Sequence, residues 1–62
     1  MERTLETHYF GWHQVDVVER VDEDGTSYVV MVDGAVATDP PLADPPGAED
    51  VVRIYARSQG QA

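Results

Sequence analysis

Ten valines, gathered in short clusters that Asp-Gly turns interrupt, confine most of this chain to β structure. β-branched side chains are stiff at χ1 and pack well on a pleated surface, so short runs of them favour strands. Residues 13–21 alternate, with Val15, Val17 and Val21 on one face and Asp16, Val18 and Arg20 on the other. Glu19 interrupts the valine face, which predicts a bulge or an exposed edge there. Asp22-Glu23-Asp24-Gly25 reads as a turn in which Gly25 takes the positive φ that a hairpin demands. Residues 26–32 form a second strand with apolar residues on both faces, Tyr28, Val30 and Val32 opposite Val29 and Met31; that pattern suits a central strand. Asp33-Gly34 is the strongest hairpin signal and returns the chain into residues 35–38.

The two ends are read less directly. Leu5, Tyr9 and Trp12 suit one face of a helix, yet Leu5, Thr7 and Tyr9 also suit a strand that turns at Gly11, and the Thr and aromatic content favours the strand. Residues 51–57 read as the last strand, with Val52, Ile54 and Ala56 opposite Val51, Arg53, Tyr55 and Arg57. Before it, Asp39-Pro40-Pro41-Leu42-Ala43 and Asp44-Pro45-Pro46-Gly47-Ala48 form an imperfect repeat that holds all four prolines. Proline lacks the amide donor and disfavours helix in the residue before it, so this stretch is extended. It serves as a stiff connector that Leu42 anchors, or as a docking segment with proline faces. The expected fold is mostly β: a small single-domain antiparallel meander of four or five strands, with a Pro-rich loop before the last strand. A helix at the start would make it α+β. Residues 1–57 form the domain and residues 58–62 a flexible tail.

Charge decides the company such a domain keeps. Twelve acids stand against four arginines and no lysine, a formal net charge of -8 in 62 residues. Nucleic acids and anionic membranes would be repelled, whereas basic protein surfaces would be attracted. No cysteine is present for a disulfide or a thiolate metal site. The first residues lack the basic start and apolar stretch of a signal peptide, so a cytoplasmic address is expected.

Catalytic and metal constellations do not assemble. Asp22, Glu23 and Asp24 are dense but sit on a predicted hairpin tip open to water, where carboxylates are turn formers rather than an acid/base pair. Asp22 also begins a stretch that resembles a calcium loop, but its glycine stands fourth where that loop needs it sixth. His8 and His13 with Asp16 fall short of a four-ligand zinc site. No enzyme, cofactor or metal is therefore expected.

Asp22-Glu23-Asp24-Gly25-Thr26-Ser27-Tyr28-Val29-Val30, followed by Pro41-Leu42-Ala43-Asp44-Pro45-Pro46-Gly47 and Val51-Val52, resembles the sheet of MbtH-like proteins. The resemblance implies a small accessory protein of adenylation domains in nonribosomal peptide synthetases. It covers about half the chain. The family's Ser-Leu-Trp-Pro motif is missing where Thr38 to Pro41 stand, the end reads as strand where that family has a helix, and none of its partner-contacting tryptophans has a counterpart.

The functional expectation follows from charge. A small acidic sheet can occupy the basic channel of a nucleic-acid-binding protein, its carboxylates taking the place of phosphates. Phage counter-defence and anti-CRISPR inhibitors of the DNA-mimic type share this general profile. Asp16, Glu19, Asp22, Glu23 and Asp24 form the expected contact row, widened by Asp33 and the acids of residues 39–50. The alternative is an interaction module that docks through a sheet edge or an exposed aromatic patch, with Tyr9 and Trp12 as anchors unless the small core takes them. A second copy of the chain is a further candidate partner.

Overall fold

The computed structural model describes residues 1–60, in which four antiparallel strands are followed by one helix. Strands β1 (Glu2–Phe10), β2 (His13–Asp22), β3 (Gly25–Val32) and β4 (Ala35–Val36) lie side by side in chain order, a meander, and the chain is mostly β. Each connection is a two-residue hairpin loop, and each uses the residues that such a loop requires. Gly11 takes φ 65 while Trp12 keeps a negative φ, which fits a turn with glycine at its first central position. Asp33 and Gly34 both take positive φ, 51 and 84, as in a type I′ turn. At the middle hairpin Glu23 and Asp24 stay negative and Gly25 supplies φ 123, while Asp22 Oδ1 accepts the Asp24 N–H at 2.9 Å.

Pairing register sorts the side chains onto two faces. Val15 stands opposite Val32 and Val17 opposite Val30, whereas Val18 stands opposite Val29 and Asp16 opposite Met31. Helix α1 (Ala48–Ser58) packs Val51, Ile54 and Tyr55 on the first of these faces, closing a core of Val15, Val17, Val30, Val32 and Val51 with Phe10 and Ala37 at its margin. Val18 and Val29 are buried on the other face. Strand β3 is thus apolar on two sides, as its sequence requires, whereas the second face of β2 holds Val18 between Asp16 and Arg20.

Residues 51–57 are helix, not the strand that alternation suggests. Seven residues are too few to separate a period of two from one of 3.6, and Val51, Ile54 and Tyr55 also satisfy i, i+3, i+4. The start signal lies just upstream. The Gly47 carbonyl accepts the Val51 N–H at 3.0 Å, Asp50 Oδ2 accepts the Gly47 N–H at 3.2 Å, and Glu49 and Asp50 sit in the positively polarised first turn. Arg57 sits in the last turn, where the dipole favours a cation. The last element of the described residues is therefore a helix, so the strand-for-helix departure from the MbtH-like pattern does not hold. Of the residues read as a tail, Ser58 closes the helix, Gln59 caps it, and residues 61–62 lie outside the described residues.

The bulge also differs in place. β2 runs regularly through Glu19, which stands opposite Arg3 and Tyr28; the irregularity falls on β1, where Leu5 is the extra residue between Thr4 and Glu6. Glu19 needs no bulge because Arg3 reaches its carboxylate at 3.2 Å.

After β4 the chain keeps hold of β3 by single contacts. Ala37 N–H donates to the Val30 carbonyl at 2.8 Å, and the buried Thr38 hydroxyl accepts the Val30 N–H at 3.1 Å, standing in for a carbonyl of the ladder. The Pro-rich segment then swings out, with a cis Asp39–Pro40 bond, and returns where Leu42 exchanges both backbone hydrogen bonds with Tyr28 at 2.7 and 2.9 Å. Leu42 thus anchors the connector to the sheet.

Candidate partner-binding surface

The sheet is long and narrow. The molecule measures 35 × 21 × 19 Å, and the ten residues of β2 run most of that length at about 3.3 Å each. One end carries the Asp22-Glu23-Asp24 hairpin. The other gathers the Gly11-Trp12 and Asp33-Gly34 turns together with Tyr55 of α1.

The acids named from the sequence are divided between these places. Asp22, Glu23 and Asp24 are brought together at the first end, exposed and without an ion pair among the described residues. Asp16 and Glu19, three residues apart on one strand, point to opposite faces. Asp16 accepts hydrogen bonds from Thr7 Oγ1 at 2.8 Å and from Gln14 Nε2, on the face away from the helix. Glu19 lies on the helix side, paired with Arg3. Asp33 stands at the far end, where His13 Nδ1 donates to its Oδ2 at 2.6 Å and the Gln14 N–H to its Oδ1 at 3.0 Å. The hydrogen bond from His13, and after it the one from Gln14, hold the Asp33 carboxyl below the ordinary aspartate range.

Cations are few and mostly committed. Besides the Arg3–Glu19 pair, Arg20 meets Glu2 at 2.8 Å and Arg53 meets Asp50 at 3.2 Å. Three of four arginines are thereby drawn to acids other than the hairpin triad, while the Met1 amino group donates to the Val21 carbonyl at 2.9 Å, one residue before it. Surface pairs of this kind stabilise little, but they do localise charge.

The aromatics separate by role. Phe10 turns inward and stacks on Tyr55, centroids 4.6 Å apart. Tyr9 and Trp12 remain outside, 69% and 89% exposed. Tyr9 stands opposite Gln14 on the open face, whereas the Trp12 ring lies 5.6 Å from that of His13. They share an end of the molecule.

Two features escaped sequence reasoning. His13 proves to be the link between the two turns at the aromatic end, a role that Asp33 discloses only once the hairpins are folded. The second is an open groove of about 410 Å³ between the Pro-rich connector and α1, with Leu42 and Ile54 at its base and Arg53 and Arg57 on the helix wall. Asp44 and Asp50 line it too, so its charge is balanced. Among the described residues no three His, Cys, Asp or Glu side chains converge on a point that could hold a metal ion, and no helix is long and apolar enough to cross a membrane.

These features define a small β-meander backed by one helix, acidic at one end and aromatic at the other. No family model, curated protein or solved structure matches the chain, so its function is argued from its own residues.

Proposed function

We propose that this chain is a non-catalytic, cytoplasmic binding protein that sets its acidic β2–β3 hairpin against a basic surface of a partner whose own work is on nucleic acid. The observation that carries the reading is the Asp22-Glu23-Asp24 triad, three exposed carboxylates without ion pairs among the described residues, on a hydrogen-bonded two-residue turn in a chain of net charge -8. Carboxylates in that position offer a partner's arginines and lysines the charge and acceptor geometry of phosphates. The backbone under them is ordered before binding, which lowers the entropic cost of docking. An inhibitor of the DNA-mimic type, in the manner of phage counter-defence proteins, is the biological form this chemistry suits.

A tagged chain, used to capture partners from nuclease-treated lysate and eluted along a salt gradient, tests the proposal. The expected partner leaves at moderate salt, is displaced by added duplex DNA, and is no longer held by the Asp22→Asn/Glu23→Gln/Asp24→Asn variant, whose melting temperature does not fall. Steep salt dependence is the signature of screened charge. A partner that resists salt, ignores DNA and still binds the triple variant overturns it. That result would favour the second reading, docking through the aromatic end, to which the exposure of Trp12 lends support.

A further inference from the structure

Trp12 is the outermost ring in a chain of four. Phe10 stacks on Tyr55, Tyr55 lies 5.7 Å from His13, and His13 lies 5.6 Å from Trp12. The inner two rings belong to the core margin, while the last stands in water. Its base is held firmly, because the Gly11-Trp12 loop is closed by the Phe10–His13 pair and His13 is tied to Asp33 across the sheet. A large indole so placed adds nothing to the core of a very small domain.

What it offers is a site for a cation. The face of an indole attracts ammonium and guanidinium groups, more strongly as water is excluded. His13, the neighbour of Trp12, is also the neighbour of the half-exposed Asp33 carboxylate, which keeps acceptor capacity beyond its bonds to His13 and Gln14. Arg57 lines the same recess as Asp33 without forming an ion pair with it, so His13 is the one basic side chain of the described residues that pairs with that half-exposed carboxylate. The field of a chain with net charge -8 concentrates cations around both groups.

We infer that the Trp12 indole and the Asp33 carboxylate, joined through His13, seat an arginine side chain of the basic partner. The guanidinium stacks on the ring and donates to the carboxylate. Arginine fits better than lysine because its planar fork stacks and hydrogen-bonds at once. The inference rests on the reading of the partner as a basic protein and gives that partner a second point of attachment, at the end opposite the hairpin triad.

Tri-arginine amide is a suitable probe. Its extended backbone spans about 10 Å, too short even with its side chains to reach both ends of a 35 Å molecule. Trp12 is the one tryptophan, so its emission reports the site directly. Titration is expected to change that emission saturably, with tri-lysine amide binding more weakly. By calorimetry, Trp12→Ala is expected to weaken tri-arginine binding about two- to five-fold, and Trp12→Phe to recover part of the loss. Unchanged emission, with affinity that survives Trp12→Ala but is lost in the Asp22→Asn/Glu23→Gln/Asp24→Asn variant, overturns this inference and leaves the hairpin reading standing. Affinity lost in Trp12→Ala but kept in the triple variant upholds the inference against the hairpin. Absence of any binding overturns both.

Discussion

Asp33 joins charge to backbone geometry. Its φ of 51 lies in the left-handed region, which among L residues Asn and Asp visit most readily, and the Asp33-Gly34 pair announces this in the sequence. The use made of its side chain is not announced. The Asp33 N–H donates to the Gln14 carbonyl at 2.8 Å while its carboxylate accepts the Gln14 N–H, so one residue extends the β2–β3 ladder beyond its last pair. Gln14 is nineteen positions away, and nothing in the local pattern places it there. Because the folded carboxyl is held below its ordinary range, its contribution is fully present above the unfolded pKa of about 3.9 and is lost as pH falls through the folded value. Asp33→Asn tolerates the positive φ but cannot carry the charge. Its melting temperature is expected to lie below that of the natural chain at about pH 6, with the gap narrowing as pH drops below about 4. A gap that stays constant throughout acid titration would show that the carboxylate charge does not stabilise this turn. The aromatics teach a similar lesson. Phe10, Tyr9 and Trp12 are alike in a sequence pattern, and the pairing of Phe10 with His13 beneath Tyr55 selects Phe10 for the core.

Among the elements, the three hairpins were legible from turn residues a few positions apart, and the helix was not. Its seven-residue apolar pattern fits either period, and the decisive signal was the Pro46-Gly47 entry with acids in the first turn. The two readings make opposite statements about neighbours. In the helix Val51 is buried in the core and Val52 is exposed. Val51→Ala is expected to cost about 2 kcal/mol in urea unfolding, a large part of what so small a core supplies, whereas Val52→Asp is expected to stay within about 0.5 kcal/mol. Equal sensitivity at the two positions would contradict the helix face described here. Strand β1 shows how an edge is blunted. It carries the charged or polar side chains Glu2, Arg3, Glu6 and His8, and the bulge at Leu5 interrupts the flat row of amides that another chain would need for pairing. A partner that adds a strand meets that obstacle on β1 and only two residues on β4.

At the scale of the whole molecule, charge and shape act together. Twelve acids on a 35 Å body repel one another, and among the described residues the Arg3–Glu19, Arg20–Glu2 and Arg53–Asp50 pairs, with the histidine contacts to Glu6 and Asp33, relieve part of this. Salt should screen the repulsion more than it weakens these exposed pairs. The melting temperature is therefore expected to rise between about 0.01 and 0.5 M sodium chloride, over which the Debye length falls from about 30 Å to a few Å. A fall would mean that the ion pairs outweigh the net field. Net charge, β content and turn positions were all readable along the chain, because they depend on composition and on residues within a turn of one another. The distribution of the acids was not. Asp16 and Glu19 look like one row in the sequence, yet strand alternation sends them to opposite faces, where Thr7 and Gln14 hold one and Arg3 the other. The meeting of Trp12, His13, Asp33 and Tyr55 at one end likewise depends on two hairpin registers and on where the helix packs. Such placements are set by contacts between segments far apart in the chain, and the physics of neighbouring residues carries no information about them.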